Sequence, residues 1–228
     1  TDGTDAGTYR VADIAPGASS SSLGLTYFVD HVLNGVAYFG ADDGVHGKEL
    51  WRSDGTAAGT YMVTELTPGD EISHIVSYGV ANGRFIFLHQ GGDSSLNGDL
   101  WATDGTPAGT SMINTEVDGS NAGVTFGNYL YFAGASGINE TRAYNLWRTD
   151  GTSPGTERVT VPDATNFVVR RMRAIQAGLV IAGCSGLTTC GLYLADGASN
   201  ELSKLIDADV QYDYVGDDSQ LFFLNWIG

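Results

Sequence analysis

Side chains able to do chemistry gather in a few short stretches. Asp42, Asp43 and His46 lie within the glycine-punctuated run 42–48, and Gln90, Asp93 and Asn97 lie within 90–98. Carboxylate, amide and imidazole groups of this kind suit a cation or a sugar hydroxyl, and calcium is the cation such loops would take. No cofactor is expected beyond that, and solvated turns are the plainer reading of both stretches. Arg158, Arg170, Arg171 and Arg173 hold four of the eleven basic residues. Arg171 and Arg173 fit an anion or carboxylate site, or they neutralise acidic neighbours such as Asp163. Cys184 and Cys190 are the only cysteines. They read as a disulfide across a hairpin, with a pair of free thiols as the alternative, and no metal motif accompanies them. Gly-x-Ser-x-Gly, His-Glu-x-x-His and phosphate-loop signatures are all absent. A glycosidase would need two carboxylates about 5–9 Å apart. Asp30 and Asp213 are candidates that nothing singles out, so catalysis is not expected.

The elements that position these residues come from a repeat. Glu49-Leu50-Trp51-Arg52-Ser53-Asp54-Gly55-Thr56, followed by Gly59-Thr60, returns as Asp99-Leu100-Trp101-Ala102-Thr103-Asp104-Gly105-Thr106 with Gly109-Thr110. It returns again as Asn145-Leu146-Trp147-Arg148-Thr149-Asp150-Gly151-Thr152 with Gly155-Thr156. Gly191-Leu192-Tyr193-Leu194-Ala195-Asp196-Gly197 is a worn copy, and Asp2-Gly3-Thr4 with Gly7-Thr8 is the tail of another. The motif glycines Gly3, Gly55, Gly105, Gly151 and Gly197 are spaced by 52, 50, 46 and 46 residues. A second apolar series, beginning at Val36, Phe85, Tyr129, Leu179 and Leu221, follows turn signals such as Asn34-Gly35 and Asn82-Gly83.

Each unit therefore reads as four short antiparallel strands, which in a repeat of this length is the pattern of a propeller blade. In the first complete unit the strands are expected near Leu25–Val32, Val36–Phe39, Glu49–Ser53 and Thr60–Val63. The expected fold is an all-β propeller of five four-stranded antiparallel blades in one domain. The units span about 15–64, 65–114, 115–160 and 161–206, and the fifth blade is split between 207–228 and 1–14. That blade would take Val210–Val215 and Leu221–Leu224 from one end and Thr8–Val11 from the other, and it lacks a third strand. The start in mid-motif is expected to reflect a longer precursor.

Within the motif, Asp54, Asp104 and Asp150 are expected to cap turns, the following glycine to supply positive φ, and threonine to begin the fourth strand. Trp51, Trp101 and Trp147 recur in register and are expected to pack blade on blade, with glycan stacking as the functional alternative. The first strands of the blades, carrying His31, Ser73, His74, Arg171, Arg173 and Tyr212, would line a central channel.

The bulk numbers agree with short strands and tight turns: 32 glycines, about twice the usual share, with 11% aromatic residues. A net charge of −16 disfavours nucleic acid and anionic membrane surfaces. No run of 18 apolar residues exists to cross a membrane as a helix.

The run Ala41-Asp42-Asp43-Gly44-Val45-His46-Gly47-Lys48-Glu49-Leu50-Trp51-Arg52-Ser53-Asp54-Gly55-Thr56 resembles the ELWxxDGT repeat of bacterial secreted and surface proteins. The likeness covers nearly the whole chain and weakens in the last unit, where Tyr193 replaces Trp and Ala198 replaces Thr. It implies a propeller-like array in exported proteins. The expected role is a non-catalytic binding or scaffold module, secreted or at the cell surface, docking a protein or glycan on one face. A multivalent lectin is the neighbouring reading.

Overall fold

A computed structural model describes residues 2–17, 31–69, 73–91, 98–115, 117–119, 123–136, 144–162, 164, 167–185, 189–207, 214–216 and 221–223. All regular structure among them is β-strand. The first sheet holds β1 (His31–Leu33), β2 (Val36–Asp42), β3 (Lys48–Ser53) and β4 (Tyr61–Thr64), in that spatial order. The second repeats the pattern with β5 (His74–Ala81), β6 (Arg84–Gln90), β7 (Asp99–Thr103) and β8 (Ser111–Asn114). In the third, β9 (Val117–Gly119) and β10 (Val124–Phe126) both pair with β11 (Tyr129–Ser136), which is followed by β12 (Tyr144–Thr149) and β13 (Glu157–Arg158). The fourth is β14 (Phe167–Ile175), β15 (Gly178–Ser185), β16 (Thr189–Ala195) and β17 (Ser203–Asp207). A two-stranded ladder, β18 (Tyr214–Gly216) with β19 (Leu221–Phe223), follows. Every ladder is antiparallel apart from one isolated bridge, Thr160 to Glu201.

Strands two, three and four of the first unit fall within a few residues of their expected places. The first strand begins later, at His31, within the described residues. Thr8–Val11 form no strand. The fourth strand of each complete unit is held by a third strand beside it, as Tyr61 is by Arg52, and no described third strand lies beside Thr8–Val11.

Alternation along β6 and β11 sends neighbouring side chains to opposite sheets, as the period of two requires. Tyr38, Leu50 and Val63 of the first sheet meet Ile75, Phe85 and Phe87 of the second. On the second sheet's other face, Ile86, Leu88 and Leu100 meet Leu130, Phe132 and Trp147 of the third. Tyr131, Leu146 and Val159 then meet Phe167, Leu179, Ile181 and Tyr193 of the fourth. The core is thus a series of slabs between stacked sheets. Burying each large apolar side chain there stabilises by roughly 1.5–3 kcal/mol.

Trp147 sits in the slab between the second and third sheets, and Trp101 packs against the slab between the first and second. Tyr193 takes the equivalent place one joint later. The repeated aromatic therefore docks its own sheet on the preceding one. Trp51, on the first sheet, is half-buried.

The motif's turn is built the same way each time. Asp54 Oδ1 accepts from the backbone N–H and the hydroxyl of Thr56, at 2.9 and 2.7 Å. Thr56 Oγ1 accepts from Gly59 N–H, and the Thr60 hydroxyl donates to the Thr56 carbonyl. The same bonds join Asp104, Thr106, Gly109 and Thr110, then Asp150, Thr152, Gly155 and Thr156, and also Asp2, Thr4, Gly7 and Thr8. Gly59 is obligatory because a Cβ there would lie 2.0 Å from the Asp54 carboxylate. Asp54 and Asp104 are held below the ordinary carboxylate range, first by the threonine hydroxyl and then by the threonine N–H. Asp caps the turn as expected. Thr56 relays the turn's hydrogen bonds, and β4 starts at Tyr61, one residue after the expected Thr60. In the fourth unit Asp196 caps the N–H groups of Ala198 and Ser199, and the hydroxyl relay is lost with the threonine.

Candidate functional site

Asp42, Asp43 and His46 stand at the tip of the β2–β3 hairpin and are engaged with their own loop. Asp42 Oδ1 accepts from Gly44 N–H at 2.7 Å. Asp43 Oδ1 accepts from the N–H groups of Val45 and His46, both at 2.9 Å, while its Oδ2 pairs with His46 Nδ1 at 2.7 Å. Burial pushes the Asp43 carboxyl up, but the His46 N–H, the imidazole and the Val45 N–H together hold it below its usual range. The Asp43 partner raises His46. This is a self-capped turn. No trio of His, Cys, Asp or Glu able to hold a metal occurs among the described residues. Gln90 ends β6 opposite His74. Asp93 and Asn97 lie outside the described residues, as do Asp30, Tyr212 and Asp213.

Arg171 and Arg173 pair in register with Ala182 and Val180, so they share the face of the fourth sheet that is turned away from the third. Arg158 lies on β13. The sequence cluster of arginines is thereby split between two places. Cys184 and Cys190 are direct cross-strand partners on β15 and β16 and form a disulfide, so both sit in strands and not in the loop between them.

Two groups that the sequence reading passed over are brought together at the joints between sheets. At the first joint Glu49 is fully buried. Its two oxygens accept from the backbone N–H groups of Leu66 and Thr67, each at 2.9 Å, and Oε1 also accepts from the Ser73 hydroxyl at 3.3 Å. Thr67 Oγ1 contacts Ser73 Oγ at 2.9 Å and His89 Nε2 at 3.0 Å, and His89 Nε2 lies 3.2 Å from Ser73 Oγ. One carboxylate thus ties down the segment that carries the chain from the first sheet to the second. Burial pushes Glu49 up, against the opposing hydrogen bonds from Leu66, Thr67 and Ser73, and burial pushes His89 down. Serine, histidine and glutamate here do not make a nucleophile trio. Ser73 has no exposed surface, and Glu49 bonds the serine, not the imidazole that would need orienting.

The corresponding position at the third joint is Asn145, nine-tenths buried on β12. It accepts from Arg158 Nη2 at 2.5 Å. Beside it opens a cavity of about 320 Å³, with Asn145, Arg158 and Thr160 as its polar lining. Its apolar walls are Leu146, Val159, Val161, Ala164 and Phe167. The linking segment is held by backbone bonds: Thr160 N–H donates to the Asn200 carbonyl, and Leu202 N–H donates to the Thr160 carbonyl. Arg148 completes the joint. It donates to Glu157 Oε1 at 2.9 and 2.7 Å, reaches the Ser199 carbonyl, and stacks 4.3 Å from the Tyr129 ring centre. Arg52 makes the analogous reach across the first joint to the Gly105 carbonyl, joined there by the Tyr61 hydroxyl at 2.9 Å.

Among known families none has a model that matches this chain, and no curated protein matches it in sequence.

Proposed function

We propose that the chain is a non-catalytic binding and scaffold module of the secreted or cell-surface kind. Its sheets act as blades of a propeller whose fifth unit combines 207–228 with 1–14. The observation that carries this reading is how the polar groups are used. The carboxylates and imidazoles placed by the repeat serve the frame, through the Asp-Thr turns, the Asp43–His46 cap and the Glu49 network. The cavity at the third joint departs from the repeat, and variable features on a rigid frame are where binding resides. The Cys184–Cys190 bridge favours an oxidising compartment, and the likeness to the ELWxxDGT repeat favours export. Trp101 and Trp147 spend their rings on packing between sheets, which favours a scaffold over a lectin that would need such rings as sugar platforms.

The test is a glycan array probed with the intact chain in calcium and in chelator, with the same glycans assayed for cleavage. Capture without cleavage, unchanged by chelator, is expected if the partner is a glycan. A blank array directs the search to a protein partner. Turnover of any glycan would overturn the non-catalytic reading.

A further inference from the structure

Two hairpins place an asparagine where the backbone is left-handed. Asn34 (φ 53°) precedes Gly35 (φ 80°) between β1 and β2, and Asn82 (φ 47°) precedes Gly83 (φ 74°) between β5 and β6. These are the only non-glycine residues with positive φ among the described residues, and both are exposed. Leu33 pairs with Val36 and Ala81 with Arg84, so each loop holds two residues, as a type I′ turn requires. Asn-Gly is also a dipeptide that can react with itself. Glycine has no side chain to shield its nitrogen, which can attack the asparagine Cγ and close a five-membered imide.

The folded turn opposes that step. At the ψ of about +47° that accompanies a left-handed residue, the next nitrogen points away from Cβ. The ring closes only after the turn has opened and rotated, so the rate depends on how firmly each hairpin is held. β5 has 8 residues and packs on both faces, through Ile75 on one and through Tyr78 and Ala81 on the other. β1 has 3 residues, with Val32 70% exposed and Leu33 only partly buried against the first slab.

We propose that Asn34 is a site of spontaneous conversion to isoaspartate in the folded chain, and that Asn82, with the same dipeptide, is protected by its hairpin. The Gly35 N–H gives its proton to hydroxide, the nitrogen–Cγ bond forms, and the Cγ–Nδ2 bond breaks as Nδ2 takes a proton and leaves as ammonia. Water then opens the imide. Addition at the Cγ carbonyl gives aspartate; addition at the backbone carbonyl gives isoaspartate, whose main chain runs through Cβ and Cγ. Water is the only co-reactant. Isoaspartate lengthens the backbone of a two-residue turn and so loosens Leu33 from the slab between the first and second sheets. Either product adds a negative charge to a chain already at −16.

The experiment incubates the full chain at mildly alkaline pH, folded and in urea, and follows each site by peptide mapping. Isoaspartate is identified by enzymatic methylation of the separated peptides. A third Asn-Gly pair begins at Asn97, outside the described residues, so each peptide is read by itself. In urea Asn34 and Asn82 should convert at similar rates. In the folded chain Asn34 should convert roughly tenfold faster than Asn82 or more. Asn34→Gly keeps a turn-forming residue and should abolish isoaspartate in the peptide spanning 31–38. Leu33→Ala should speed conversion at Asn34 and leave Asn82 unchanged. The comparison of the two sites in the parent chain needs no variant, so it stands if either one fails to fold. Asn82 converting as fast as Asn34 in the folded chain would overturn the proposal. So would an intact Asn34 after the urea sample has converted, or a Leu33→Ala variant with an unchanged rate.

Discussion

The first and third joints are built from the same repeat, yet they are closed in different ways. At the first joint the residue before the motif leucine is Glu49, whose carboxylate reaches across to Leu66, Thr67 and Ser73 and draws the connecting segment onto the sheet. At the third joint the same position is Asn145, which turns to Arg158, and the connecting segment is carried by backbone bonds to 200–202. The first joint holds a buried polar network; beside the third opens a cavity of about 320 Å³. The turns, the slabs and the inter-sheet arginines are shared. The side chain one residue before the recurring motif leucine is a buried tie at the first joint and a wall of the open pocket at the third.

The contrast is sharpest on removing the two side chains. Glu49→Ala leaves the Leu66 and Thr67 N–H groups without their acceptor, and each such loss costs about 1–3 kcal/mol. A total of about 2–6 kcal/mol is expected in urea unfolding. Asn145→Ala removes the acceptor of the Arg158 guanidinium and should cost about 1 kcal/mol. Equal costs would break the comparison. Adding volume should separate the joints in the same sense. Ser73→Leu forces bulk into a filled site and should destabilise by about 2–3 kcal/mol, whereas Ala164→Leu should stay within about 1 kcal/mol of the parent.

The turns serve as the control. Thr106→Val and Thr152→Val remove the same two hydrogen bonds from two units, so both should cost about 1 kcal/mol and agree with each other. The gentlest effect is on pH dependence. Burial raises Glu49 in the folded state, so its contribution is fully present below the unfolded value of 4.5 and is lost as pH rises through the folded value. Glu49→Gln should remove that decline. Asp54 and Asp104 are lowered, so their contribution is present above 3.8 and lost as pH falls; it should persist in the variant.

The parts legible in the sequence are those written in local spacing. The repeat gave the strand order and the hairpins. The Asp-Gly-Thr turn could be read because its hydrogen bonds span two to four residues. The recurring tryptophans announced packing because their register matched from unit to unit. Cys184 and Cys190 were close enough in sequence for a hairpin bridge to be a natural reading. The joints were not legible in the same way. Glu49 meets partners 17 to 24 residues away, and only the packed sheets reveal which segment it faces. The Asp42–His46 run looked available to a ligand because a sequence does not say whether a carboxylate points outward or back to its own N–H groups. The arginine cluster came apart for a similar reason: Arg158 lies on one sheet and Arg171 and Arg173 on the next, facing away.

Backbone hydrogen exchange, read amide by amide, tests most directly whether a side chain closes one joint and the backbone closes the other. In the parent protein, Leu66, Thr67 and Thr160 should all exchange slowly, since each N–H is bonded. Glu49→Ala should release Leu66 and Thr67 to fast exchange, while Asn145→Ala should leave Thr160 protected. Continued protection of Leu66 and Thr67 without the carboxylate, or loss of Thr160 protection without the amide, would contradict the account.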